Sequence, residues 1–178
     1  MKIIVARHAQ TNYNLQMLCN ADPKLPVHLT PTGQKQAENL ANKLANYPID
    51  KIYISEYPRT LQTANFVNKY HQLDLIADPR INENNTGYEG KTIQEWQSTL
   101  LKQNNWWQAK LNDGESLEEA FNRTEDFMND LMNSDANCPL VVTHGFIIQC
   151  IYQILESKKI ELNTNYLIEQ GNFAEFNI

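Results

Sequence analysis

The chain has 178 residues, 42% hydrophobic and 20% charged. It is long enough for one packed domain and too apolar to be intrinsically disordered. A net charge of −6 with no long Lys/Arg run argues against a general nucleic-acid binder. Any anion site must therefore be a local positive pocket in an acidic protein. Cys19, Cys138 and Cys150 form no CxxC and are read as reduced thiols, two of them buried. The apolar run after Met1 is shorter than a signal-peptide core, and no run reaches the roughly 20 apolar residues of a membrane helix. The expectation is a cytoplasmic protein with no membrane partner.

Taken in chain order, strands and helices alternate. Lys2 to Arg7 reads as a buried strand. Thr30-Pro31 is an N-cap with Pro in the first turn, followed by Ala37, Leu40, Ala41 and Leu44 at helical spacing until Tyr47-Pro48. Lys51 to Ser55 is a second strand, and Thr63, Phe66, Val67 and Tyr70 mark the next helix. Leu73 to Ala77 is a strand before Pro79. Residues 82–114 are more polar, hold Trp96, Trp106 and Trp107, and suggest a cap segment with one short helix after Thr92. Trp96 and at least one of the other two are expected to pack that cap. Ser116 and Glu119 form a capping box for a helix with Leu117, Ala120, Phe121, Thr124, Met128 and Leu131 on one face. Leu140 to Thr143 is a strand, and Phe146 to Leu155 is apolar on nearly every side, as a central buried helix is. Tyr166 to Ile168 and Phe173 to Ile178 read as closing strands around Gly171-Asn172. The pattern predicts one α/β domain over 1–178. It is a three-layer sandwich with a mostly parallel central sheet flanked by helices, plus a small helical cap at 82–114.

Ligands in such sheets bind beyond the strand carboxyl ends. His8, Ser55 and His144 stand at three of those ends. Arg7 precedes His8, and its planar fork matches phosphate oxygens. Arg59 follows Pro58 at a helix start, where the helix terminus also favours an anion. A lone strand-end histidine is usually structural. Two meeting in one crevice beside arginine point to phosphoryl chemistry. The four histidines, 8, 28, 71 and 144, show no metal-ligand spacing, so no metal is expected.

The motifs resemble those of the histidine phosphatase superfamily, also called the phosphoglycerate mutase-like family. Its Arg-His-Gly signature appears as Arg7-His8-Ala9-Gln10-Thr11 with Asn14. Its Leu-Thr-x-x-Gly-x-x-Gln-Ala element spans Leu29 to Ala37, and Ser-x-x-x-Arg-x-x-Gln-Thr-Ala spans Ser55 to Ala64. Glu83, Gly87, Glu89-Gly90, Gly114-Glu115-Ser116 and His144-Gly145 follow in the family's order.

The resemblance implies a nucleophilic His8 that takes the phosphoryl group. Arg7, Arg59 and His144 would cage the phosphoryl oxygens, and Glu83 would act as acid and then base. It implies Asn14, Gln10, Thr11 and the Gly145 N–H as further phosphate or substrate contacts. It implies no cofactor. The activity so implied is metal-independent hydrolysis of a small phosphorylated metabolite, with compactness favouring a phosphatase over a mutase. An α-ribazole phosphatase or a broad-specificity sugar-phosphate phosphatase fits, and a protein phosphohistidine phosphatase fits less well. Mutase-type transfer, or a non-catalytic phosphate binder on the same fold, is the alternative.

Three departures stand out. Ala9 replaces the usual Gly and is expected to take an ordinary backbone conformation. The spacing from Glu83 to Glu89-Gly90 is one residue short, which makes Glu89 the fallback acid. The loop from Leu15 to Val27 lacks the family's frequent Arg and has Asn20-Ala21 where Gln-Gly is common. Lys24, Lys91 and Lys102 read as surface residues.

Overall fold

A computed structural model describes residues 1–162 and 167–178. The elements are β1 (Lys2–Arg7), α1 (Asn12–Leu15), α2 (Pro31–Leu44), β2 (Lys51–Ile54), α3 (Pro58–His71) and β3 (Leu75–Ala77). After a 3-10 turn at Pro79–Ile81 come α4 (Ile93–Leu100), α5 (Leu117–Met132), β4 (Pro139–Thr143), α6 (Gly145–Glu156) and β5 (Phe173–Asn177). The sheet order is β3-β2-β4-β1-β5. The first four strands are parallel and β5 runs antiparallel against β1.

Alternation along β1 explains the three layers. Ile3 and Val5 pack with Ala120, Phe127, Ile147 and Cys150 from α5 and α6. Ile4 and Ala6 pack on the other side with Leu40, Leu44, Ala64 and Val67 from α2 and α3. A strand covered on both faces must be apolar at every position, and Ile3 to Ala6 are fully buried. The cap is a looser segment whose α4 starts at a Thr92–Glu95 capping box and turns Trp96 and Leu100 into the core. Trp107 meets Trp106 and Phe121 at ring-centroid distances of 5.9 and 6.0 Å.

Two strand assignments differ from the sequence pattern by more than one residue. β3 starts at Leu75, because the Asn68 side chain captures Leu73 first, donating to its carbonyl at 2.7 Å and accepting from its N–H at 2.9 Å. Of the two closing strands, β5 forms. Leu167 and Ile168 are not in a strand, and Tyr166 lies outside the described residues. Ile168 instead buries its side chain in the core and gives its carbonyl to Arg7. All three cysteines are free and buried. Among the described residues, no helix is long and apolar enough to cross a membrane.

Candidate active site

The register of the sheet builds the site. Arg7 of β1 pairs with Thr143 of β4, so the next residues, His8 and His144, emerge side by side. The His8 N–H donates to the Thr143 carbonyl at 2.9 Å, and the two imidazole centroids lie 5.2 Å apart. Ser55 follows β2, on the other side of β4, and its Oγ is 2.7 Å from His144 Nε2.

Hydrogen bonds assign the tautomers. His8 Nδ1 lies 2.8 Å from the Ala9 carbonyl, which only accepts, so Nδ1 carries the proton and Nε2 keeps its lone pair. Arg59 Nε donates to His144 Nδ1 at 3.2 Å, so His144 is protonated on Nε2 and donates to Ser55. Burial first, and then Arg59, hold both histidines well below the ordinary imidazole pKa. Both are therefore neutral at pH 7.

Arg59 sits in the first turn of α3, behind Pro58 and Tyr57. Its guanidinium stacks 4.3 Å from the Tyr57 ring centroid, and Nη1 donates to Asn20 Oδ1. The Thr63 hydroxyl donates to the Arg59 carbonyl at 2.7 Å and accepts from the Ala9 N–H at 3.0 Å. This hydroxyl couples the arginine's helix to the His8 loop. Arg7 Nη1 donates to the Ile168 carbonyl at 3.3 Å. Glu83, just after the 3-10 turn, lies on the cavity wall with its side chain partly buried. Burial raises its pKa, against the opposing pull of Arg59 and Arg7.

Arg7, His8, Arg59 and Glu83 line one cavity of about 90 Å³. His144 is fully buried and is not among the lining residues. Thr11 and Asn14 also line the cavity. Thr11 caps α1, with its backbone N–H and hydroxyl both bound to Asn14 Oδ1, which leaves Asn14 Nδ2 as a donor. Gln10 and Gly145 do not line it. Gln10 accepts from the Thr30 hydroxyl at 2.8 Å and so fastens the start of α2. Gly145 opens α6, and the next residue, Phe146, reaches the cavity. Among the described residues, no three His, Cys, Asp or Glu side chains converge as a metal site requires.

Glu89 lies elsewhere. It is exposed, and its carboxylate accepts from the Ala21 and Asp22 N–H groups at 2.6 and 3.0 Å and from Asn20 Nδ2. It fixes the loop that presents Asn20 to Arg59.

Two arrangements escaped sequence reasoning. Asn20 is one, although its replacement of a common Gln was visible. The other is a clamp behind Glu83. Arg123 of α5 donates to the Arg80 carbonyl at 2.7 Å, to the Glu83 carbonyl at 3.4 Å and to Glu115 at 2.7 and 3.0 Å. Glu115 in turn accepts from the Asn85 N–H at 2.8 Å. The backbone on both sides of Glu83 is thus pinned by one ion pair.

Ala9 is fully buried and takes an ordinary backbone conformation, as its side chain requires. It packs with Leu29 and Ala37. Ala9→Gly is therefore expected to lower stability by about 1 kcal/mol, through lost packing and a more flexible unfolded chain. A thermal melt with unchanged or raised Tm would contradict this.

Comparison with known proteins gives a consistent picture. A family model described as the histidine phosphatase superfamily (branch 1) matches residues 3–176. The chain is 30% identical over 162 residues to "Probable phosphoglycerate mutase GpmB" of Proteus mirabilis, covering 85% of this chain and 73% of that one. It is 28% identical over 189 residues to "Putative phosphoserine phosphatase 2" of Hydrogenobacter thermophilus, covering 99% and 89%. Its fold superposes on the α-ribazole phosphatase of Shigella flexneri with a TM-score of 0.81 at 24% identity, covering 100% and 91%.

Proposed function

Because the chain belongs to the histidine phosphatase superfamily, we propose that it hydrolyses a small phosphomonoester through a phosphohistidine on His8, without a metal ion. The observation that carries this reading is the fixed tautomer of His8. A buried neutral imidazole with Nδ1–H tied to Ala9 offers Nε2 as a nucleophile at pH 7.

In the first step Nε2 attacks phosphorus and the bond to the ester oxygen breaks. Glu83 gives its proton to the departing alkoxide, a task its raised pKa suits. In the second step the Glu83 carboxylate takes a proton from water, the hydroxide attacks phosphorus, and the P–N bond breaks to restore His8. Arg7 and Arg59 balance the charge on the phosphoryl oxygens throughout. Phosphate binding would take Arg59 Nε from His144 Nδ1 and exchange a neutral acceptor for an anionic one.

The test is phosphate release from para-nitrophenyl phosphate in the presence of EDTA. Turnover is expected, with an acid-labile, base-stable phosphoenzyme trapped by rapid quenching. No turnover of any phosphomonoester across acidic to neutral pH would favour a non-catalytic phosphate binder. The likeness to the Proteus mirabilis protein favours mutase-type transfer as the second reading. Conversion of 3-phosphoglycerate to its 2-isomer faster than release of phosphate would establish it.

The clamp behind Glu83 has its own signature. Arg123→Met frees the backbone at Arg80 and Glu83 and leaves Glu115 without its cation. A displaced acid should lower kcat by about 10- to 100-fold while KM changes little. An unchanged kcat in a folded variant would remove the clamp from the mechanism.

A further inference from the structure

We propose that Thr63 is a positioning residue for the phosphoryl transfer. Its hydroxyl holds both the residue that orients His8 and the helical turn that carries Arg59. The proposal rests on the phosphohistidine reading above and adds a residue that is not part of the cavity lining.

Thr63 lies on the buried face of α3 with Ala64 and Val67, and it is fully buried. Its hydroxyl nevertheless has two polar partners. It gives its proton to the Arg59 carbonyl, one helical turn back, at 2.7 Å. A helical threonine commonly makes this bond, and the oxygen lone pairs stay free to accept. One of them takes the Ala9 N–H at 3.0 Å.

Ala9 needs that acceptor. β1 ends at Arg7, and the last N–H in register with β4 is that of His8, on the Thr143 carbonyl. Ala9 is fully buried, where a backbone N–H without a partner is costly. Side chains of the flanking helices take over at this point. Thr63 of α3 receives the Ala9 N–H, and Gln36 of α2 receives the Gln10 N–H at 2.9 Å. The Ala9 carbonyl in turn lies 2.8 Å from His8 Nδ1 and fixes the proton there. Thr63 therefore reaches the nucleophile through one residue and Arg59 through its own helix. Because a single oxygen serves both, His8 and Arg59 share one anchor.

The experiment replaces the hydroxyl with a methyl group. Thr63→Val keeps the side-chain shape and leaves the Ala9 N–H facing carbon. Rapid-quench measurement of phosphoenzyme formation from para-nitrophenyl phosphate should slow by about 10- to 100-fold. Thr63→Ser keeps the hydroxyl and should recover most of the rate. Nitrogen NMR of the His8 ring adds a readout that needs no turnover. The parent should show a protonated Nδ1 and a bare Nε2, and in Thr63→Val the two signals should converge as the tautomers mix. A folded Thr63→Val with parental rate and parental ring signals overturns the proposal. So does a slowed Thr63→Val whose ring signals are unmoved, or a Thr63→Ser slowed as much as Thr63→Val. If Thr63→Val does not fold, Thr63→Ala against Thr63→Ser carries the same comparison, because those two differ only in the hydroxyl. A parent that releases no phosphate strikes the hydrolase reading, while the ring signals still decide the role of Thr63.

Discussion

His8→Ala is expected to lower phosphate release by about 10,000-fold or more and to abolish the trapped phosphoenzyme. Nucleophile deletions reach this size because the remaining groups must then direct water at phosphorus without a covalent relay. The rest of the cage survives the change. Arg59 keeps Tyr57 and Asn20, and Arg7 keeps Ile168. The variant should therefore still bind inorganic phosphate, as titration calorimetry would detect. Residual turnover within tenfold of the parent, or a phosphoenzyme that persists, would mean that another group accepts the phosphoryl.

The second large effect belongs to Glu83→Gln. General acid–base assistance contributes about 100- to 10,000-fold, and alkyl phosphates should lose kcat in that range. Nitrophenolate leaves without a proton, so para-nitrophenyl phosphate should show a burst followed by slow turnover as phosphohistidine waits for a base. The pH profile carries the same assignment. His8 must be neutral to attack, so the rate falls as pH drops through its depressed pKa, far on the acid side of ordinary histidine. Glu83 must be protonated to donate, so the rate falls as pH rises through its elevated pKa. The rate is greatest between the two limbs, and Glu83→Gln should erase the alkaline limb. Glu89→Gln should instead loosen the loop at Asn20 and raise KM. If Glu89→Gln removes the alkaline limb and Glu83→Gln keeps it, the two roles are reversed.

What the sequence revealed follows from how each element is stabilised. β1 and β4 are buried on both faces and read as unbroken apolar runs. α2, α4 and α5 announce themselves through Thr30, Thr92 and Ser116, each of which accepts the expected N-terminal N–H. β3 and the closing strand were misjudged because the rival bonds come from distant or side-chain groups, Asn68 in one case and Arg7 in the other. His8 and His144 were legible because strand ends converge in any parallel sheet of this kind. Glu83 and Glu89 were harder to separate. Both are loop carboxylates, and spacing does not say which one the N–H groups of residues 21 and 22 will claim. Gln10 shows the converse. Its motif neighbour Gly33 admits no Cβ, which would lie 2.0 Å from the Gln10 carbonyl. The conjunction of motif residues there fixes the start of α2 against the His8 loop.

The grip on Arg7 ties β1 to the segment that leads into β5. Its N–H donates to Asn172, its carbonyl accepts from Gly171, and its guanidinium reaches Ile168. A residue of β1 is thus held by residues that lie far along the sequence, just ahead of β5. His8 and His144 are brought together by the pairing of β1 with β4, whereas all three of these restraints on Arg7 come from residues 168–172. The phosphate-facing arginine is therefore placed by a contact between distant parts of the sequence, and its geometry depends on how well the segment ahead of β5 is docked.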